Sequence, residues 1–515
     1  MIWNVGKVMT KRARISPDKV AVFFENETIT YKQLNDNINQ VANFMQAKGL
    51  KKGDRISVSL LNCPEFLAIY FAAAKLGLIF VPLNFRMVAG ELKYQLNDCG
   101  SKLLVFNDMF IKNIEPIRSS IKVDNDKYIF LKSGLPGFQN CPEWALDYNE
   151  ILKDASTAEP ILKDPVKIDD PLGIIYTSGT TGDPKGAVLS HEQTYFKNFQ
   201  ISDYTDMRKD DVFLSQLPLF HSGGLYIVAT PTLCTGATIV MRRTFEPEQF
   251  ARDIEKFKAT IIFGLTTMWR FILNSKALDD TDVSSVRVVL GGGERTPDSL
   301  LKDLSDRGLN MQLGFGQTEN SAMMMTPKDA ILKKAGSIGL PGLFTEIWIQ
   351  DHEGNHLPPK EIGEIVAIGP TVMSGYWNMP EKTDETIIDG ILHTGDLGYI
   401  DEDGYFYIVD RAKDMYRTGG ENVYPAEVEK VLADHPDIEN VAIVGVPYDK
   451  WGETGKAYIT CVKNKTITLE QVKEYLDEKV ARYKFPGQIE IIDALPLTST
   501  GKIRKVNLKE RFLDK

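Results

Sequence analysis

The sequence predicts an α/β protein with more than one domain, and three observations support this fold class. Its 515 residues exceed what one hydrophobic core usually organises, so at least two domains are expected. Short apolar runs typical of buried strands alternate with helical patterns as far as Pro341, which favours layered α/β sheets. The composition, 43% apolar and 25% charged, is ordinary for a globular enzyme.

The first elements begin at Thr30. Thr30 and Gln33 have the spacing of a capping box, and apolar residues follow at helical intervals until Gly49. A second helix is predicted at 64–76. Buried strands are predicted at 55–61, 78–83, 173–177, 238–241, 260–263 and 287–290. These elements predict a large N-terminal domain of layered α/β sheets.

The pattern changes after Pro341. Strand-like pieces at 345–350, 363–368 and 404–409 alternate with turn residues and predict a small β-rich subdomain. A new α/β pattern then begins, with a helix at 425–433, a strand at 440–446 and a helix at 469–483. We therefore place a boundary near 410–414, between an N-terminal domain of residues 1–411 and a small α+β C-terminal domain of residues 412–515.

Charge and composition exclude several classes of protein. The formal net charge is −10 and no basic block is present, so nucleic-acid partners are not expected. Lys75, Gly77 and Pro82 interrupt the most apolar stretch, which predicts a buried helix and strand rather than an integral membrane segment. The N-terminus lacks the apolar region of a signal peptide, and the five cysteines are scattered without a CxxC pair. We expect a cytoplasmic protein with reduced thiols.

The strongest motif is the segment 176–186, which reads Tyr-Thr-Ser-Gly-Thr-Thr-Gly-Asp-Pro-Lys-Gly. Such a loop can turn successive backbone N–H groups toward one anion, while hydroxyl groups and Lys185 supply further donors. It is not a Walker P-loop, because Pro184 precedes the lysine and Gly186 follows it. The motif predicts binding of a polyphosphate.

Further motifs follow in order along the chain. They are Leu-Pro-Leu-Phe-His-Ser-Gly-Gly-Leu at 217–225, Leu-Gly-Gly-Gly-Glu at 290–294, Gly-Phe-Gly-Gln-Thr-Glu at 314–319, His-Thr-Gly-Asp at 393–396, Asp-Arg-Ala-Lys-Asp at 410–414, Gly-Gly-Glu-Asn-Val-Tyr-Pro at 419–425 and Pro-Leu-Thr-Ser-Thr-Gly-Lys at 496–502. Together with 176–186, this series resembles the adenylate-forming enzymes: acyl-CoA synthetases, firefly-type luciferases and peptide-synthetase adenylation domains.

The resemblance implies a role for each motif. Contacts to ATP or AMP are implied for Thr177, Ser178, Gly179, Thr180, Thr181, Gly182, Lys185, Gly292, Gly293, Glu294, Gly314, Phe315, Gly316, Gln317, Thr318, Asp396, Arg411 and Lys502. An acyl pocket is implied at His221, Gly224, Gly264 and Phe315, and CoA contacts at Gly419, Gly420 and Glu421. The implied catalytic residues are Lys502, Thr318, Glu319 and His221, with Glu319 also holding Mg²⁺ and Lys413 acting as the hinge of a mobile C-terminal domain.

These roles imply an ATP-dependent acid–thiol ligase. A carboxylate attacks the α-phosphorus of ATP to give acyl-AMP and pyrophosphate, and the thiol of coenzyme A then gives acyl-CoA and AMP. Both reactants of the first step are anions, so Mg²⁺ on Glu319, Lys502 and the 178–186 loop would supply positive charge. The sequence as a whole is most similar to those of bacterial fatty acyl-CoA synthetases. This similarity implies that the substrate is a medium- or long-chain fatty acid.

Several alternatives stay open. Aryl or cinnamate-type acids are the next candidates, because the apolar, glycine-lined segments also suit an aromatic chain. Amino-acid adenylation for a carrier protein is disfavoured by the neutral stretch His221–Leu225, since such domains commonly place an Asp there for the amine. A luciferase-like oxygenase and a non-catalytic nucleotide or acyl sensor share the same core, although a sensor could dispense with Lys502. The expected partners are the acid, ATP and CoA; a homodimer is compatible with the sequence but not specified by it.

Overall fold

The computed structural model describes residues 4–137, 140–177, 184–293, 296–418, 421–448, 451–477, 479–497 and 503–513. Its α-helices are α1 (Gly6–Ile15), α2 (Tyr31–Ala47), α3 (Pro64–Leu76), α4 (Ala89–Asp98), α5 (Ile111–Ile114), α6 (Tyr148–Leu152), α7 (His191–Thr205), α8 (Thr230–Thr235), α9 (Pro247–Phe257), α10 (Thr266–Asn274), α11 (Asp298–Ser305), α12 (Pro380–Thr386), α13 (Pro425–Leu432), α14 (Leu469–Leu476) and α15 (Lys505–Leu513). A π-helix, Gly223–Ala229, leads directly into α8.

The strands form four sheets. They are β1 (Val20–Phe24), β2 (Glu27–Thr30), β3 (Arg55–Ser59), β4 (Ile79–Pro82), β5 (Leu103–Asn107), β6 (Tyr128–Leu131), β7 (Leu146–Asp147), β8 (Pro171–Thr177), β9 (Lys185–Ser190), β10 (Val212–Ser215), β11 (Thr238–Met241), β12 (Ile261–Phe263), β13 (Val288–Gly292), β14 (Met311–Gln317), β15 (Ser321–Met325), β16 (Leu340–Pro341), β17 (Glu346–Gln350), β18 (Gly363–Ile368), β19 (Gly375–Tyr376), β20 (Ile387–Ile388), β21 (Ile391–Ile400), β22 (Phe406–Arg411), β23 (Tyr416–Thr418), β24 (Glu421–Val423), β25 (Ile438–Tyr448), β26 (Gly452–Cys461) and β27 (Gln488–Ile491).

Two large sheets dominate the N-terminal part of the chain. One has the order β16-β15-β14-β13-β12-β10-β11-β1-β2 and the other β19-β9-β8-β4-β3-β5-β6-β7. In both, the central strands are parallel; antiparallel strands are added at both ends of the first sheet and at the β19 end of the second. One face of each sheet contributes to a large shared core with α1, α2 and α3, and the other face of each sheet packs in an apolar cluster of its own. The parallel strands are thus covered on both faces. The predicted layered α/β architecture is confirmed.

Two smaller sheets complete the fold. The sheet β17-β18-β21-β20, with β22 paired to β21, is the predicted β-rich subdomain. The sheet β24-β23-β26-β25, with β27 paired to β26, belongs to the C-terminal part and packs against α13 and α14 around its own apolar cluster. The α+β character predicted for this part is therefore confirmed.

Most predicted elements occur within a few residues of the expected bounds. The capping box of Thr30 and Gln33 is present, and the helix at 64–76 and the strands at 238–241 and 363–368 have the predicted bounds. The helix predicted at 469–483 is wrong in length, since α14 ends at Leu476. Asp477 adopts extended backbone angles there, and only a short 3₁₀ turn, Arg482–Lys484, follows.

The apolar stretch around Lys75 forms α3 followed by β4, as expected for a buried helix and strand. Among the described residues, no helix is both long and apolar enough to span a bilayer. All five cysteines have free thiols.

A buried ion pair offers a test of the packing of α9 against the first sheet. Arg242 donates two hydrogen bonds to Asp253, at 2.7 and 2.5 Å, and the Asp253 side chain is 0% exposed. Arg242 also pairs with the partly exposed Glu25 at 3.0 Å, so replacing Asp253 with Ala removes the buried one of its two counter-charges. This loss should lower the free energy of unfolding by about 3 kcal/mol, the lower end of the cost of breaking a buried pair. Urea unfolding followed by tryptophan fluorescence measures this change.

The control is Glu248→Ala in the same helix. Glu248 pairs with Arg252 at 3.6 Å, and both side chains are more than half exposed. Its removal should change stability by about 0.5 kcal/mol or less. Equal losses for the two variants would contradict the importance of the buried pair.

Candidate active site

The site begins at the carboxyl ends of the parallel strands β10, β12, β13 and β14, where ligands of α/β sheets usually bind. Gly292 on β13 pairs with Gly314 on β14, and a Cβ at Gly292 would lie 2.5 Å from the Gly314 carbonyl oxygen. Gly293 follows with φ +81°, which a side chain rarely adopts. The close backbone contact therefore requires glycine at position 292. Because Gly292 and Gly293 have no side chains, they leave space at this edge of the sheet.

The turn after β14 carries Thr318 and Glu319. The Glu319 carboxylate accepts a hydrogen bond of 2.8 Å from the Tyr376 hydroxyl, and its carbonyl oxygen accepts one of 2.6 Å from the Met373 amide. Thr318 lies 3.4 Å from the Ser222 hydroxyl, oxygen to oxygen. The turn thus holds a hydroxyl and a carboxylate in defined positions at the strand ends.

Tyr376 is a site residue that the sequence analysis did not identify. It lies on β19, which pairs with β9, and its ring is 4.4 Å from the ammonium of Lys185. Burial and the neighbouring Glu319 raise the pKa of Tyr376, so its hydroxyl stays protonated and donates to the carboxylate. Tyr376 therefore links two predicted site residues, Lys185 and Glu319.

Neighbouring side chains fix the Asp396 carboxylate in a position where it can accept hydrogen bonds. Its side chain is buried on β21, forms an ion pair with Arg411 and accepts a hydrogen bond of 2.7 Å from the Gln317 amide. The preceding turn is fixed by Glu364, which contacts His393 at 2.8 Å and accepts the Gly395 amide at 3.0 Å. Three of the predicted nucleotide contacts, Gln317, Asp396 and Arg411, are therefore adjacent.

His221 stands at the start of the π-helix. Its ring contacts Phe220 edge to face at 6.0 Å, and Phe220 contacts Phe85 at 5.2 Å in the same way. A π-helical turn is rare and often occurs at functional sites. A Cβ at Gly224 would lie 2.2 Å from the Pro218 carbonyl oxygen, so that glycine serves close packing.

A buried lysine approaches the same site from α7. Lys197 is 2% exposed and forms no hydrogen bond with any group that the structure describes. Burial lowers the pKa of Lys197 to about 7, and the Glu319 carboxylate partly opposes this shift. The nearby residues Gln193 and Gln200 on the same helix bond Ser374 and Thr345, so this helix face packs against the segments that surround Glu319. The sequence analysis predicted no helix in this region and did not identify this lysine.

Glu319 is the carboxylate that could hold Mg²⁺ at this site. Within the residues described, no three His, Cys, Asp or Glu side chains cluster as a metal cage. Mg²⁺ usually retains several waters and is held by one or two carboxylates together with substrate phosphates. The single carboxylate of Glu319, oriented by Tyr376, fits an ion of that kind.

The remaining predicted residues are placed as follows. Thr177 and Lys185 pair at the end of the β8–β9 hairpin where the chain passes from one strand to the other, Gly264 follows β12, and Glu421 begins β24. Phe315 and Gly316 lie on β14, and Lys413 is exposed after β22. Ser178, Gly179, Thr180, Thr181, Gly182, Glu294, Gly419, Gly420 and Lys502 lie outside the described residues.

Comparisons with known proteins identify the family of this chain. The profile of the AMP-binding enzymes matches residues 9–377, and that of their C-terminal domain matches residues 427–502. A feruloyl-CoA synthase of an Amycolatopsis species is 36% identical over 510 residues, which cover 99% of each chain. A long-chain-fatty-acid–CoA ligase of Mycobacterium tuberculosis is 33% identical over 99% of this chain and 98% of its own.

A solved structure shows the same fold. The o-succinylbenzoate coenzyme A synthetase of Bacillus subtilis, in complex with ATP and a magnesium ion, superposes with a TM-score of 0.86 at 29% identity, over 98% of this chain and 99% of its own. These matches confirm the predicted class of enzyme, an AMP-forming acid–CoA ligase, and its predicted requirement for ATP, coenzyme A and Mg²⁺. The chain therefore belongs to the AMP-binding enzyme family.

Proposed function

We propose that this enzyme activates an aromatic carboxylic acid of the cinnamate type, forming first acyl-AMP and then the CoA thioester. The first step joins a carboxylate oxygen to the α-phosphorus of ATP and releases pyrophosphate. In the second step the CoA thiol attacks the acyl carbon, and AMP leaves. The enzyme supplies positions and charges for both steps, and no enzyme nucleophile is required.

The buried carboxylate of Asp396, paired with the partly exposed Arg411, supports a ribose site. A carboxylate accepts hydrogen bonds from two hydroxyls at once, and Gln317 and Arg411 hold Asp396 in place for this role. Thr318 and Lys185 would donate to phosphate oxygens. Bound Mg²⁺ would neutralise phosphate charge next to Glu319. Lys502 would contact the α-phosphate in the first step, and the C-terminal part would turn about Lys413 for the second.

The packing behind the glycines supports an aromatic acid. A Cβ at Gly291 would lie 2.4 Å from the Met311 sulfur, and one at Gly264 would lie 3.0 Å from the Trp269 indole nitrogen. The wall behind these glycines is therefore filled by the core. A flat ring suits such a wall, and the rings of Phe85 and Phe220 beside His221 offer edge contacts. The similarity to a feruloyl-CoA synthase points the same way, and a medium- or long-chain fatty acid is the competing candidate.

A substrate panel tests the proposal. Pyrophosphate release is measured with ferulate, 4-coumarate, cinnamate, dodecanoate and acetate, each with and without CoA. We expect the highest kcat/KM for one of the three aromatic acids and thioester formation only with CoA. A preference for dodecanoate would support the fatty acid instead, and an acetate preference would contradict both apolar candidates.

The opening at Gly223 gives a prediction for the acyl pocket. A Cβ there would meet nothing closer than the Leu217 side chain at 3.9 Å, so Gly223→Leu places a new side chain in open space beside His221. We expect kcat/KM for ferulate to fall by roughly 10-fold or more, since a displaced ring loses about 1.5–3 kcal/mol of burial. The value for acetate should change little.

Gly90→Ala is the matched control, because a Cβ at Gly90 on α4 also meets nothing within 4 Å. This substitution should leave kcat/KM unchanged for both ferulate and acetate. Equal rates for ferulate in the Gly223 variant and the native enzyme would remove Gly223 from the pocket.

Asp396→Asn tests the ribose contact. The change keeps the shape but removes the charge that orients Arg411 and strengthens hydrogen bonds to hydroxyls. Loss of one charged hydrogen bond, about 1.5–3 kcal/mol, corresponds to a decrease of roughly 10- to 10²-fold in kcat/KM for ATP. Steady-state pyrophosphate release at varied ATP measures it.

Asp211→Asn provides the comparison. Asp211 is equally buried and pairs with Arg287, yet it precedes β10 at the opposite edge of the sheet. Its replacement should lower stability without a specific effect on ATP. If both variants changed the KM for ATP alike, the assignment of Asp396 would be wrong.

A further inference from the structure

Lys505 begins α15, three positions after the predicted catalytic Lys502. Its ammonium forms an ion pair of 2.8 Å with Glu429 on α13, and the two side chains are only 15% and 19% exposed. The same Glu429 oxygen accepts the Ile443 amide of β25 at 2.6 Å. Glu429 therefore joins three elements of the C-terminal part at the point where α15 begins.

The described residues on either side of 498–502 are joined to each other, and this junction is called the base of the Lys502 loop. Leu497 and Ile503 pair there as an antiparallel bridge, and the Arg504 amide donates to the Pro496 carbonyl oxygen at 2.8 Å. The chain thus leaves and returns at one point, directly before Lys505. Any shift of Lys505 moves that base.

The other end of α13 is attached to the segment before the predicted hinge. Asp410, buried at the end of β22, accepts the Ala426 amide at 2.9 Å and the Arg411 amide at 2.7 Å. The first N–H groups of a helix lack partners within the helix, so Asp410 caps α13 from outside. Burial raises the pKa of both Asp410 and Glu429, and the charge of Lys505 opposes both shifts.

We propose that Lys505 is a positioning residue for Lys502, and that Asp410, α13 and Glu429 connect it to the hinge at Lys413. The inference rests on the proposed function, in which Lys502 acts only in the first step. A largely buried ion pair in a fixed frame holds the base of the loop more tightly than an exposed pair would. The position of Lys502 relative to the α-phosphate then depends on the contact between Lys505 and Glu429.

Lys505→Met tests this role, because it keeps the length of the side chain and removes the charge. Acyl-AMP formation, measured as single-turnover pyrophosphate release with ATP and the best acid of the panel, should fall roughly 10- to 10²-fold, as for a misplaced catalytic group. Thioester formation from the synthetic acyl-AMP and CoA should stay within about twofold, since Lys502 is not used there. Lys505→Arg keeps the ion pair and should restore most of the first rate.

Lys484→Met is the matched control. Lys484 is 17% exposed and pairs at 2.6 Å with Glu427 on the same helix, but it is not joined to the Lys502 loop. Its loss should lower thermal stability as Lys505→Met does, without changing the ratio of the two half-reactions. Glu429→Gln should change the ratio of the two half-reaction rates as Lys505→Met does. It replaces Lys505→Met as the test if that variant does not fold.

The inference is overturned if Lys505→Met and Glu429→Gln slow both half-reactions in the same proportion, or slow neither. That outcome differs from a failure of the proposed function. In the latter case the native enzyme itself would prefer dodecanoate or acetate, or would release no pyrophosphate with any acid of the panel, whatever residue stands at position 505.

Discussion

The turn at residues 317–320 is the point on which the arrangement of the active site depends. The Gln317 amide N–H donates to the Asn320 side chain at 3.0 Å and closes the turn. From it, the Gln317 side chain reaches Asp396 in the β-rich subdomain, and Glu319 reaches Tyr376 at the edge of the second large sheet. Three sheets therefore meet at one turn of the first sheet, and each contributes a polar group.

The turn can form because the ends of β13 and β14 meet at glycines, so no side chains separate the two backbones. β14 pairs in parallel with β13 through Gly292 and Gly314, and in antiparallel fashion with β15 beyond it. Ser321 then adopts φ +62°, a strained angle for a residue with a side chain. The change from parallel to antiparallel pairing turns the chain back over the strand ends, where the reacting groups are needed.

Electrostatics at the site are local, because the protein as a whole is acidic. A net charge of −10 disfavours ATP and a carboxylate alike, so cations must be placed individually. Arg411 pairs with Asp396, Lys185 lies over the Tyr376 ring, and Lys197 is buried near Glu319. Burying an ammonium is costly unless a charge compensates it, and the Glu319 carboxylate supplies part of this compensation for Lys197. Each carboxylate of the site thus has a cation within its surroundings.

Local signals in the sequence determined the fold class, ten of the strands in the described residues, the bounds of α3 and the order of the motifs, because periodicity and capping act within a few residues. They extended α14 too far, since apolar residues continue past Leu476 although the backbone becomes extended at Asp477. Only the tertiary structure brought Tyr376 to Glu319 and Lys505 to Glu429. These partners are more than fifty residues apart, and contacts over such separations are decided by sheet order and packing, which no local pattern encodes.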